Sequence, residues 1–242
     1  MIALHTFEPL EAAVSLLYPR VCTICGGNVR AGEYLCNRCE ATAVRIVAPF
    51  CQKCSEPFEG SITSEFTCAN CAHRTIHFDA AVSAYRGRGI VRQIIHEFKY
   101  GRQIHLRHLV ARWLHAALDD ERLRDSHCDV IVPVPLHATR QRERGFNQAS
   151  LLAALLSAQT SISSKPLLER IRYTTTQTAL DRSERMENLH NAFRLRKNAD
   201  VRGLRVLLID DVLTTGSTLS ECARVLKRAG ALSVHAATAA RA

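Results

Sequence analysis

Residues 206–218 read VLLIDDVLTTGST, and this stretch decides the fold. Val206–Ile209 is a continuous apolar run of the kind found in central strands of parallel sheets, which are buried on both faces. It ends in two carboxylates, Asp210 and Asp211. A short loop follows, built of Thr214, Thr215, Gly216, Ser217 and Thr218, and a helix over 217–229 begins at once and stops at Gly230. A loop entering a helix N-terminus presents unpaired N–H groups and the positive end of the helix dipole, and so suits a phosphate. The hydroxyls of Thr214, Thr215, Ser217 and Thr218 add donors, and Gly216 permits close backbone approach. Carboxylates repel phosphate, so Asp210 and Asp211 are suited to neighbouring sugar hydroxyls or to a cation. The loop lacks Gly-Lys-Ser/Thr and is not a Walker loop. The plain alternative is a strand–turn–helix capped by Ser and Thr.

On either side of this stretch, Asp129–Pro135 (DVIVPVP) and Leu232–Thr238 (LSVHAAT) read as further strands. FDAAVSAY, within His77–Tyr85, is another. Ile90, Val91, Ile94, Ile95 and Phe98 give one apolar helical face that stops near Gly101. Leu109, Val110, Trp113, Leu114 and Ala117 give a second, and residues 147–158 a third. Strands alternating with helices predict a parallel α/β sheet with ligands at the carboxyl ends of its strands.

The cysteines are unevenly spread. Of ten, eight lie in four Cys-x-x-Cys pairs: Cys22/Cys25, Cys36/Cys39, Cys51/Cys54 and Cys68/Cys71. Two such pairs complete a tetrahedral four-sulfur zinc site, and a redox motif needs only one pair. Two structural Zn²⁺ ions are expected. Spacing leaves both consecutive and interleaved pairing open. Closed sulfur sites leave no coordination position for water, so these sites serve folding and positioning. His73 and His77 are redundant beside four sulfurs, and Cys128 and Cys222 read as core residues.

Charge divides the chain as the cysteines do. Residues 1–80 carry 6 basic and 8 acidic side chains; residues 81–242 carry 26 and 15. The expected organisation is therefore 1–80, a helix containing Leu10, Val14 and Leu17 followed by a zinc module, and 81–242, the α/β domain. An excess of +11 in the second part favours an anionic partner. His96, His105, His108 and His115 share a region with Arg102, Arg107 and Arg112, read as a solvated basic face rather than a nucleic-acid track. No apolar run approaches the roughly 18 residues of a membrane span. Met1–Leu17 lacks an early basic residue and carries Glu8 and Glu11, unlike a secretory signal, so the expected compartment is the cytoplasm, where clustered thiols are metal ligands rather than disulfides.

The stretch from Asp210 to Thr218 resembles the phosphoribosyl pyrophosphate (PRPP) motif of type I phosphoribosyltransferases over its full length. The resemblance implies that Asp210 and Asp211 hold the ribose 2′ and 3′ hydroxyls and Thr214–Thr218 the 5′-phosphate. Further segments resemble the ComF family: Val132-Pro-Val-Pro-Leu136-His137, then Arg140, Arg142 and Arg144 before Gly145-Phe-Asn-Gln148; Lys99-Tyr-Gly101; and Gln177-Thr-x-Leu180 with Arg185 and Asn188. With the cysteines, the resemblance covers nearly the whole chain. That family joins a zinc module to a phosphoribosyltransferase-like domain and is associated with DNA uptake in natural transformation. It implies PRPP with Mg²⁺, and a pyrophosphate site at Leu136, His137, Arg140, Arg142 and Arg144, whose guanidiniums clamp phosphate oxygens. Arg170–Arg185, polar and Thr-rich, reads as a loop that closes over the ligand as in related transferases or as an ordinary surface loop, and the arginines after Pro135 have a solvated basic turn as their plain alternative. Three functions follow: phosphoribosyl transfer to an acceptor, with a zinc module in place of the usual acceptor-reading hood; a non-enzymatic, PRPP-liganded factor that binds single-stranded DNA; and a partner-docking scaffold with the zinc module as its interface. Single-stranded DNA and competence proteins are the implied partners. Lys99 is read either as a phosphate ligand or as a helix C-cap.

Overall fold

The computed structural model describes residues 20–62, 64–173 and 190–242. The chain forms two compact units, Met1–Ala43 and Val44–Ala242. The expected helix around Leu10–Leu17 lies outside the described residues, as do Gln177, Leu180, Arg185 and Asn188.

Six strands are described in the larger unit: β1 (Ala81–Arg86), β2 (Val130–Pro133), β3 (Leu168–Arg170), β4 (Phe193–Leu195), β5 (Arg205–Leu213) and β6 (Ser233–Arg241). Its longer helices are α1 (Gly89–Tyr100), α2 (Arg107–His115), α3 (Ala138–Arg144), α4 (Gln148–Thr160) and α5 (Ser217–Arg228). The main sheet is parallel, in the order β1-β6-β5-β2. β3 and β4 form a separate antiparallel pair, with Leu168 opposite Leu195.

The expected α/β architecture is the one observed. β5 is central, and Val206–Ile209 is fully buried. Val206 and Leu208 join a core with Leu219, Cys222, Ala223 and Leu226 of α5. On the other side α2 and α4 cover the sheet with Leu109, Trp113, Leu152 and Leu156, all buried. Each such large side chain contributes about 1.5–3 kcal/mol when fully removed from water. Together they form a rigid platform below the loops at the carboxyl ends of β2 and β5.

Three features differ from the expectations. β5 continues past the carboxylates to Leu213, because β6 runs on to Arg241 and pairs with it (Val212 with Ala240, Leu213 with Arg241). The segment after Pro135 contains a helix, α3. The His137 side chain caps its start by accepting the Thr139 N–H at 3.3 Å, and Gly145 at φ 79° ends it. Cys222 is buried as expected, but Cys128 is only partly buried, with its sulfur 3.0 Å from Ser126 Oγ.

Candidate functional site

The phosphate loop is where β5 turns into α5. Gly216 occupies the helix N-cap position at φ 76°, a left-handed conformation that glycine adopts without strain. The Thr215 and Ser217 hydroxyls lie 3.0 Å apart. Ser217 is buried, Thr215 and Thr218 are half-buried and Thr214 is exposed. The first N–H groups of α5 lack intrahelical acceptors, as at any helix start. The loop therefore offers backbone donors, hydroxyls and a favourable dipole to one anion.

Asp211, two residues before the end of β5, is 3% exposed, yet its Oδ2 has no hydrogen-bond partner among the described residues. Its Oδ1 faces Lys99 Nζ at 3.0 Å. Asp210 accepts the Asp211 N–H at 2.9 Å. Burial and the adjacent Asp211 carboxylate push the Asp210 carboxyl up to about 7, against the pull of Lys99. Burial alone lowers the affinity of Lys99 for its proton, but Asp211 and Asp210 outweigh it and its pKa is raised. Lys99, read from sequence as a phosphate ligand or a helix C-cap, is the counter-ion of the carboxylate pair. A buried carboxylate oxygen without a donor is costly unless a ligand supplies one, and a sugar hydroxyl is a donor of the right kind.

Lys99 also lines a cleft of about 320 Å³ with Tyr100, Arg140, Glu143, Arg144 and Tyr173. Arg144 donates to the Tyr100 hydroxyl at 2.9 Å and lies 4.7 Å above that ring. Arg140 lies 6.0 Å above the Tyr173 ring, whose edge meets His137 at 5.2 Å between centroids. On α3, Arg140 and Arg144 are one turn apart and share a face; Arg142 is exposed and is not among the cleft-lining residues. Leu136 and His137 are half-buried at the start of α3. The cleft combines cations with two largely exposed aromatic rings, and so suits an anionic, planar or phosphorylated ligand.

The cysteines group consecutively: Cys22, Cys25, Cys36 and Cys39 in the smaller unit; Cys51, Cys54, Cys68 and Cys71 in the larger. Within each group all four sulfurs lie within 4.8 Å of one another. Cys25 and Cys36 are 3.7 Å apart and Cys54 and Cys68 3.6 Å. Tetrahedral zinc with Zn–S bonds of about 2.3 Å needs sulfurs about 3.8 Å apart, so both groups fit Zn²⁺. The knuckles repeat one design. Gly26 and Ser55, each following a second cysteine, take φ 71° and 56° and return N–H bonds of 2.9 Å to the Cys22 and Cys51 carbonyls. Cys36 and Cys68 each cap a one-turn helix, Asn37–Glu40 and Ala69–Ala72. His73 and His77 belong to neither group. The second site is entirely buried and shares the core of the large unit with Phe78, Leu213 and Leu219. Ser55 Oγ donates to the Ala81 carbonyl at 3.0 Å. Arg122 reaches the Gln52 carbonyl (2.9 Å) and Ser55 Oγ (3.1 Å).

The exposed His96, His105, His108, Arg102 and Arg112 agree with a solvated face. Among the described residues no helix is long and apolar enough to cross a membrane.

The chain is similar to known proteins over most of its length. Residues 13–72 match the family described as a double zinc ribbon domain, and residues 143–242 the phosphoribosyl transferase domain. The chain is 33% identical to Competence protein F of Haemophilus influenzae, over 86% of this chain and 91% of that one. It is 32% identical to DNA utilization protein YhgH of Escherichia coli K12, over 91% and 96%. It is 29% identical to Competence protein ComFC of Bacillus subtilis, over 84% and 81%. Among solved structures, a purine phosphoribosyltransferase from Pyrococcus horikoshii is similar at TM-score 0.34 and 21% identity, over 52% of this chain and 68% of that one.

Proposed function

The chain belongs to the ComF family, and from that premise we propose that it binds PRPP at the β5–α5 loop and transfers its phosphoribosyl group to an acceptor nitrogen. The observation that carries this reading is the buried, unsatisfied Asp211 Oδ2 beside a phosphate-type loop and a cationic cleft. Asp210 and Asp211 accept the ribose hydroxyls, and Thr214–Thr218 enclose the 5′-phosphate. Leu136, His137, Arg140 and Arg144 take the pyrophosphate; Arg142 stands on the outer side of α3. Asp210 and Asp211 are the hard oxygen donors that would hold a Mg²⁺ bound with the pyrophosphate, and the ion would neutralise part of the leaving group's charge. When the acceptor attacks C1, the bond to pyrophosphate breaks and the leaving group departs with the bonding electrons. Positive charge develops on the ribose ring, and the fixed carboxylates stand where it develops. The two four-cysteine groups remain structural throughout. Residues 1–80 form the metal-holding part and residues 81–242 the ligand-binding part, in the cytoplasm.

Tyr100 and Tyr173, each beneath an arginine, favour a second reading, in which the PRPP-liganded protein handles single-stranded DNA for competence partners. Base stacking on aromatics beside a cationic track is the usual single-strand platform.

Labelled PRPP incubated with purines, pyrimidines and small amines separates the readings. Acceptor-dependent release of pyrophosphate establishes transfer. PRPP binding without release from any acceptor removes the enzyme reading. Salt-dependent binding of a single-stranded oligonucleotide, lost in Tyr100→Ala/Tyr173→Ala, then supports the second.

A further inference from the structure

We infer that the second cysteine ribbon is part of the phosphate site: Asn70 and Arg74 are positioning residues that aim the Gly216 amide at the ligand's phosphate. The inference rests on the PRPP reading above.

Asn70 lies in the one-turn helix Ala69–Ala72, between the ligands Cys68 and Cys71. Its Nδ2 donates to the Thr215 carbonyl at 3.4 Å, and Arg74 Nη2 donates to the same oxygen. A trans peptide is planar, and its C=O and N–H point in opposite directions. Tying the Thr215 oxygen to the ribbon therefore turns the Gly216 N–H the other way, into the loop. A cationic donor on the carbonyl also polarises the peptide and makes its N–H a stronger donor.

Neighbouring contacts fix the same junction. A side chain at Gly216 would meet Arg74 Nη2 and Phe78 Cε1, both at 3.6 Å, so the ribbon packs directly against this glycine. The His77 N–H donates to Ser220 Oγ in the first turn of α5 at 3.1 Å. Phe78 shares a buried cluster with all four cysteines and with Leu213 and Leu219. Contacts from residues 70–78 thus reach the loop before, at and after Gly216. The metal-held knuckle sets the position of Asn70 and Arg74, and they set the peptide.

The test is calorimetric titration of the full chain with ribose 5-phosphate and with PRPP–Mg²⁺, with zinc content and denaturant midpoint measured in parallel. Asn70→Ala/Arg74→Ala removes both donors from one carbonyl; Arg74→Lys keeps a cationic donor. The double variant is expected to bind both probes about tenfold more weakly, as for loss of a charge-assisted hydrogen bond, with two zinc ions retained and a single cooperative unfolding transition kept. Arg74→Lys is expected to stay near wild-type affinity. Wild-type affinity in the double variant, or weakening only in step with zinc loss, overturns the inference while leaving the PRPP reading standing. A wild-type protein that binds neither probe overturns both.

Discussion

At the scale of single residues, the site is organised by charge. Asp211 is buried and the adjacent Asp210 half-buried, and one ammonium, Lys99, serves both carboxylates. Lys99 bonds Asp211 directly, and at Asp210 burial, with the adjacent Asp211 carboxylate, outweighs the attraction of Lys99 and raises the pKa. A folded-state value of about 7 lies above the ordinary 3.8, so the native state holds this proton more tightly than the unfolded chain. The stabilisation is complete below the ordinary value and disappears as pH rises through about 7. Asp210→Asn removes this dependence. Denaturant midpoints measured from about pH 4 to about pH 8 should show wild type losing stability relative to Asp210→Asn as pH rises; parallel curves would contradict the assignment. The carboxylates and hydroxyls of the loop were legible in the sequence because they are contiguous. Lys99 was not, because its role depends on the C-terminal end of α1 meeting the end of β5, a contact between residues 112 positions apart that no local pattern encodes.

At the scale of elements, β2, β5, β6, α1, α4 and α5 were legible because each carries a long apolar run or a clear helical period. α3 was hidden by its own composition: seven residues with no buried member present no apolar stripe. Its only signals were the caps, His137 and Gly145, and recognising them would have placed Arg140 and Arg144 on one face and Arg142 on the other. β3 and β4, three residues each, are too short for period-2 alternation to register. The β5–α5 junction is the element most exposed to a single substitution. Gly216→Ala places a Cβ at φ 76° against Leu213 Cδ1 at 3.4 Å. It should cost about 1–2 kcal/mol of stability in denaturant unfolding, the usual penalty for a non-glycine residue in this conformation. It should also weaken ribose 5-phosphate binding in calorimetry. Unchanged stability and affinity would mean that the loop does not need this geometry.

At the scale of the whole molecule, the cysteine count announced metal modules, but the sequence could not show how differently the two groups are built in. The first site includes the exposed Cys25 and stays within Met1–Ala43; the second is buried in the core beneath the ligand loop. Hence Cys25→Ser should lower zinc content to about one ion per chain, by mass spectrometry, and leave hydrogen exchange in β5 and α5 unchanged. Cys54→Ser, which breaks a site continuous with the core, should raise exchange throughout Val44–Ala242. Equal exchange in the two variants would contradict that distinction. The same asymmetry explains why the charge division near residue 80, although present in the sequence, does not coincide with the boundary of the compact units: burial in a common core, rather than composition, joins the second ribbon to the sheet.

In the proposed function PRPP sits at the β5–α5 loop with its ribose on the paired carboxylates. Isothermal titration of PRPP–Mg²⁺ into wild type and Asp211→Asn tests it most directly. Wild type is expected to bind one-to-one, and Asp211→Asn at least about tenfold more weakly, with both zinc ions retained. Absence of binding to wild type, or equal affinity in the two proteins, would contradict it.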